Sequence, residues 1–528
     1  MKFYNRENEL AELQRIQELS FEENSRLTVV TGRRRIGKTS LIMRAFEKLE
    51  PRDVFYYFEE ICRIPHGSGN LQQISDYLVS FAEEHHLAHC RDEYGNVIMV
   101  KEASEGYEDH APVMLQGHMD MVAVKKPDCD IDMKTEGLRI QVDGDRVYAE
   151  GTSLGGDDGI AVAYGLALMA GNYKHPKIEL VITAEEETGM DGARGIDLSG
   201  CQSRKLINLD SEEEGVFLAG CAGGARVNYN ALLTPVMQKG TVYRVTVDGL
   251  LGGHSGAEID KERGNAICIL GRAMKELEEA GLSIALCNID GGLADNAIPR
   301  QAEAVFLVKG YKGNGEEKDI LEKVVEKLEE GLATEYRKKD PGVRLQTEIL
   351  DTEERMALSE EDSRRLVNLI CMLPYGVQAM SSSMKGLVET SLNPGVISLK
   401  QGQLHVGISV RSSVDSAKQG LFDRLSALAQ LAGVEMEITG NYPGFAYKED
   451  SPLCSKMSEV YENMYGRRPE VMAIHAGLEL GFFAGKIKGL DCISMGPDMK
   501  NIHTTEEELS VSSVKRVWKY LLQLLEEM

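Results

Sequence analysis

The chain has 528 residues, more than a single hydrophobic core holds and enough for two or three domains. Its 59 Lys and Arg against 84 Asp and Glu leave a net charge of −25, which argues against nucleic acid or an anionic membrane as the main partner. No run of about 18 apolar residues is present to span a membrane. The opening lacks the apolar core of a secretory signal, and ten scattered cysteines without a Cys-x-x-Cys pair predict reduced thiols and a cytoplasmic protein.

The first predicted strand, Arg26–Thr31, runs into Gly32-Arg-Arg-Arg-Ile-Gly37-Lys38-Thr39 and then an apolar helical stretch, Leu41–Leu49. This is the phosphate-loop pattern in its strand–loop–helix setting, with backbone amides and Lys38 on phosphates and Thr39 on magnesium. The opening residues resemble the start of a family of prokaryotic ATPases. The character of the chain changes by Pro51, before the second strand and metal-holding Asp that nucleotide hydrolysis requires. Residues 1–49 are therefore read as a truncated ATPase start joined to another complete protein, an appendage rather than a working ATP site.

Over 50–225 the pattern alternates. Helical spacing is found at Asp53–Arg63, Leu71–His86 and Gly159–Ala170, and strands are predicted at Asn96–Val100, Pro112–Gln116, Ile178–Thr183 and Lys205–Leu209. This predicts an α/β layer with a mainly parallel sheet. Residues 226–440 give strand Thr241–Gly249, helix Lys261–Gly281, strands Leu282–Asp290 and Gln301–Tyr311, helix Lys318–Lys339 and strand Val343–Leu350. A second set follows: helix Glu360–Met372, strands near Gly395–Leu399 and Gln403–Arg411, helix Ser416–Leu431 and strand Val434–Thr439. The expectation is an inserted α+β lid of two ferredoxin-like halves. Helix Cys454–Tyr465, strand Asp491–Met495 and helix Val511–Glu527, within 441–528, are expected to complete the first layer.

Acidic and histidine-bearing stretches punctuate the strand ends: Gln116-Gly-His118-Met-Asp120, Gly155-Gly-Asp157-Asp-Gly159, Glu185-Glu186-Glu187-Thr-Gly189 and Asn208-Leu-Asp210, with His503 far downstream. Taken singly, each is an ordinary surface loop or turn. Sites in open α/β sheets form beyond the carboxyl ends of strands, so His118, Glu187 and Asp210 are placed to converge. Histidine nitrogen and carboxylate oxygen suit zinc, and an Asp on a tight turn, Asp157, is placed to bridge two metals. Asp120 is placed to orient the His118 imidazole. The three glutamates cannot all point one way, so one reaching a metal leaves a neighbour to act as base.

These stretches, with Phe58-Glu-Glu-Ile-Cys-Arg-Ile-Pro-His-Gly-Ser-Gly69, resemble the dinuclear zinc peptidases that include carboxypeptidase G and aminoacylase, above all the aminoacyl-histidine dipeptidases, over roughly residues 50–528. The resemblance implies two divalent ions, Zn with Co or Mn as alternatives. It implies His118, Asp157 and Asp210 on one ion, and Asp157, Glu187 and His503 on the other. It further implies Glu186 as general base, Asp120 as the group that orients His118, and His254 in Gly253-His-Ser-Gly256 as the oxyanion-stabilising residue. Asn296 and Arg411 would bind the substrate carboxylate. His475 matches another family segment, in which Glu479 would sit near the substrate amine. The tail departs from the family, with Ile502-His503-Thr504 in place of Pro-His-Ser.

The function expected is hydrolysis of Xaa-His and other dipeptides through a metal-bound hydroxide, by a homodimer that binds neither nucleic acid nor membrane. The close rival is an N-acyl amino acid deacylase using the same chemistry, and the distant one a nucleotide-binding module acting through the phosphate loop.

Overall fold

The computed structural model describes residues 49–309 and 316–528, so Gly32, Gly37, Lys38 and Thr39 of the phosphate-loop motif lie outside the described residues. The chain divides into two compact units. One comprises the described residues up to Ala219 with Lys448–Met472 and Phe482–Met528, and the other comprises Gly220–Tyr447 with Ala473–Gly481.

The first unit is built on a sheet with strand order Ala88–Arg91, Val97–Lys101, Ile178–Thr183, Val113–His118, Lys205–Asn208, Asp491–Ser494, Val216–Cys221 and Glu470–Ile474. The four middle strands from Ile178–Thr183 to Asp491–Ser494 run parallel, and antiparallel strands flank them. Val113–His118 and Ile178–Thr183 are buried at every position, as expected of parallel strands covered on both faces. One cover is the Gly156–Ala170 helix, buried at all positions but Ala170. It packs on the Arg52–Cys62 helix, where Gly159 leaves room for Phe58 and Ile61 (a Cβ there would sit 3.4 Å and 3.7 Å from them). It also packs on the Val511–Glu526 helix, where Tyr164 stacks on Trp518 and donates its hydroxyl to the Val514 carbonyl at 3.1 Å. Parallel pairing brings His118, Thr183, Asn208 and Ser494 to one edge of the sheet, with His118 opposite Thr183, Gln116 opposite Asn208, and Asn208 opposite Ser494. Every loop carrying a candidate ligand except that of Asp157 leaves from this edge.

The second unit holds a nine-stranded antiparallel sheet whose main path is Arg344–Ala357, Val236–Asp248, Ala302–Val308, Ile284–Gly291, Val388–Lys400, Gln403–Ser412, Gly223–Leu232 and Glu435–Tyr442. The first four strands, with helices Ala266–Glu279 and Glu316–Glu335, form a β-α-β-β-α-β unit in spatial order 4-1-3-2. The last four repeat that order in mirror image with helices Glu360–Met372 and Asp415–Ala432, and the halves join where Ile289–Gly291 pairs with Ile397–Leu399. Helices and sheet share a core that includes Val245, Val247, Leu270, Phe306, Ile370, Val406 and Leu425.

Several element bounds differ from the sequence reading for local reasons. The helix expected from Lys261 starts at Ala266, because Asn265 caps it by accepting the N–H groups of Ile267 and Cys268, while Ile259–Lys261 is a 3-10 turn. Strand Gly223–Leu232, absent from the predicted elements, is the first strand of the second half; its partners lie far along the chain.

Candidate metal centre

His118 ends its strand fully enclosed, 1% exposed. The preceding Gly117 is required by packing: a Cβ there would lie 2.6 Å from both the Ala161 Cβ and the Asp158 Oδ2. His118 donates its backbone N–H to that same Asp158 oxygen at 3.1 Å. Its Nε2 lies 3.1 Å from Asp157 Oδ1 and 3.6 Å from Asp210 Oδ1. Its Nδ1 lies 3.0 Å from the backbone carbonyl of Asp120, with the Asp120 carboxylate farther away at 3.5 Å. The backbone carbonyl thus makes the closer contact that orients this ring.

The Asp120 carboxylate also holds the loop of the candidate base. It accepts the N–H groups of Glu186 at 3.0 Å and Glu187 at 3.2 Å, and the Ser68 hydroxyl at 2.9 Å. The three consecutive glutamates separate as follows. Glu185, with φ of +56°, turns to accept the Gly69 N–H at 2.9 Å, while Glu186 and Glu187 each bring a carboxylate oxygen into a group with His118. Glu187 Oε1 is 3.0 Å from His503 Nε2, and that nitrogen is 3.1 Å from Asp157 Oδ2.

Among the described residues, three sets place one ligand atom each within 4.8 Å of one another: His118, Asp157 and Asp210; His118, Glu186 and Glu187; and Asp157, Glu187 and His503. The first and third share Asp157, which offers one oxygen to each side. Burial opposes charge on His118, but Asp210, Asp120 and Asp157 outweigh it and hold the imidazole well above its ordinary range. Hydrogen bonds to Asp157 and Glu187 raise His503 to about 10. Asp157 is buried yet held well below the usual carboxylate range by hydrogen bonds to His118 and His503. Burial pushes Asp210 up to about 7, with His118 opposing and Asp157 adding to the rise. Burial, then Asp210, keeps Asp158 well above its ordinary value. Asp157 therefore faces the imidazoles, and Asp158 sits behind His118 as a packing and hydrogen-bonding group. Two imidazoles, His118 enclosed and His503 exposed, and three carboxylates make a donor set that fits two divalent cations.

The remaining predicted residues fall in the second unit. His254 is exposed, and its Nδ1 accepts the N–H groups of Gly256 at 3.2 Å and Ala257 at 3.0 Å, which leaves Nε2 as the ring donor. Partial enclosure of the ring, then Arg411, lower its pKa and favour this neutral form. Gly256 is the point where predicted groups meet: a Cβ there would lie 2.8 Å from the His475 carbonyl, 3.1 Å from His254 Cε1 and 3.2 Å from Arg411 Cζ. Arg411 donates to the Tyr442 hydroxyl at 3.2 Å, and His475 Nε2 pairs with the Ser391 hydroxyl at 2.6 Å. Asn296 is exposed and accepts the Ser255 N–H at 2.8 Å through its backbone carbonyl, beside the His254 turn. Glu479 is buried.

Ser68, Ser391 and Tyr442 carry no signal in the sequence, because their partners are distant along the chain. Nor does Glu507, the central member of Glu506-Glu507-Glu508 and the buried one of the three.

The family model for "Peptidase family M20/M25/M40" matches residues 114–527. The chain is 36% identical over 490 residues to the cytosol non-specific dipeptidase of Escherichia coli (strain K12), covering 92% of this chain and 99% of that protein. The crystal structure of aminoacylhistidine dipeptidase from Vibrio alginolyticus superposes with a TM-score of 0.84 at 35% identity, covering 92% of this chain and 98% of the other. Aminopeptidase PepT from Bacillus cereus ATCC 10987 shares the fold at a TM-score of 0.52 and 15% identity, over 91% of this chain and 99% of its own. On this agreement of sequence, fold and clustered donors, the chain belongs to the M20/M25/M40 family and is a peptidase.

Proposed function

We propose that the protein is a metal-dependent dipeptidase that cleaves Xaa-His and other dipeptides in the cytoplasm. The two oxygens of Asp157, each 3.1 Å from a different imidazole, are the observation that supports this most. The dipeptidase relatives favour this reading over the deacylase. His118, Asp157 and Asp210 hold one divalent ion, and Asp157, Glu187 and His503 the other, with zinc the best match to the N and O donors and cobalt or manganese as alternatives. Two such ions, when bound, acidify water and polarise the scissile carbonyl.

Glu186 takes the proton of the attacking water and passes it to the leaving amine. Asp120 fixes Glu186 through its backbone N–H and His118 through the ring. His254 donates from Nε2 to the developing oxyanion. The Arg411 fork binds the dipeptide carboxylate, with Asn296 and His475 beside it and Glu479 toward the amine. The second unit is read as the substrate-binding and dimerisation domain of a homodimer.

A cytoplasmic site accords with ten cysteines that form no disulfide; no helix among the described residues is long and apolar enough to cross a membrane. A panel of Ala-His, other dipeptides and acetyl-amino acids tests the reading. Release of histidine from Ala-His supports it, and turnover confined to acetyl-amino acids would replace it with the deacylase.

A further inference from the structure

We propose that Glu507 is a positioning residue for Asp157, acting through the backbone that carries it. The Glu507 side chain is 3% exposed and lies in a concave array of amides at the start of the Gly156–Ala170 helix. One carboxylate oxygen accepts the N–H groups of Leu154 at 2.8 Å and Gly155 at 3.1 Å, and the other accepts those of Gly156 at 2.8 Å and Asp157 at 3.3 Å. Four consecutive amides directed at one carboxylate form an anion-holding nest.

The Gly155-Gly156 pair is explained by this contact. Gly155 adopts φ of +68°, the left-handed conformation that curls the amides inward. A Cβ on Gly156 would lie 3.2 Å from Glu507 Oε1, so the second glycine leaves room for the carboxylate. The glycines thus serve a side chain of the protein itself.

Glu507 also lies four residues after His503. A single side chain therefore links the loop of the late imidazole to the loop of the aspartate that faces it, and Asp157 presents one oxygen to His118 and one to His503. Its buried charge fixes the peptide that aims both oxygens. This inference rests on the ion-pair reading above.

The test is Co²⁺ titration of the full chain, following affinity by chelator competition and geometry by the cobalt absorption spectrum. In Glu507→Gln an NH₂ group faces two of the four amides. Loss of about 10- to 100-fold in Co²⁺ affinity is expected, with a changed spectrum, a lower kcat and an unchanged KM. Gly156→Ala, which presses on Oε1 without altering charge, is expected to shift the spectrum in the same direction and supplies the test if Glu507→Gln does not fold. Wild-type affinity and spectrum in both variants would overturn the proposal while leaving the ion pair intact. Failure of the wild-type protein to take up two Co²⁺ per chain would overturn the ion-pair reading itself, and this proposal with it.

Discussion

Oδ2 of Asp157 lies 3.1 Å from Nε2 of His503 across 346 positions of sequence. Because the other oxygen of Asp157 faces His118, Asp157→Asn weakens both halves of the donor set at once. The expected outcome is loss of bound metal from both positions, measured as metal per chain after gel filtration, with activity falling in step. Retention of two ions per chain in the variant would show that Asp157 is not shared.

Glu186 is assigned to proton transfer and Glu187 to a metal, although ligand atoms of both lie within 4.8 Å of His118. Glu186→Gln is therefore expected to lower kcat by about 10²- to 10⁴-fold with metal content unchanged. Glu187→Gln is expected to lose metal. If Glu186→Gln loses the metal instead, the two roles are exchanged.

In the second unit, burial and then Arg411 push His475 down to about 4. A histidine depressed in the folded state stabilises the fold through its neutral form. That contribution is complete above the ordinary value of about 6.5 and disappears as pH falls through about 4. NMR titration of the His475 ring is expected to give a midpoint near 4 that rises in Arg411→Met. Arg411→Met is also expected to raise KM for dipeptides by about 10- to 100-fold while leaving the C-terminal amides little changed. A midpoint that Arg411→Met leaves unmoved would contradict the coupling of Arg411 to His475, and equal loss on amides would contradict the carboxylate-binding assignment.

Gly117 leaves no space for a side chain against Ala161 and Asp158. Gly117→Ala is expected to cost about 1–3 kcal/mol in denaturant unfolding, because the strand and the Gly156–Ala170 helix must separate. Wild-type stability in this variant would mean that the helix shifts freely, contrary to its burial.

Much of this site is legible in sequence because parallel strands buried on both faces are continuous apolar runs, and polar residues at their carboxyl ends stand out. The apolar runs Val113–Leu115 and Leu180–Ile182, followed by Gln116 and Thr183, show this. Glu507 was not legible because its neighbours Glu506 and Glu508 are the same residue type, and only the folded chain buries one of them. The contacts of Asp120 with the amides of Glu186 and Glu187 leave no periodic trace, since backbone donors have no side-chain signature. Strand Gly223–Leu232 was obscured by topology, because the whole first half of the second unit is inserted between it and its partners.

Stepwise return of metal to chelator-treated protein, with free histidine released from Ala-His followed at each step, tests the dinuclear dipeptidase site. Negligible release is expected from the stripped protein, with full recovery as Zn²⁺, Co²⁺ or Mn²⁺ approaches two ions per chain. Undiminished histidine release by the stripped protein would contradict a metal-dependent site.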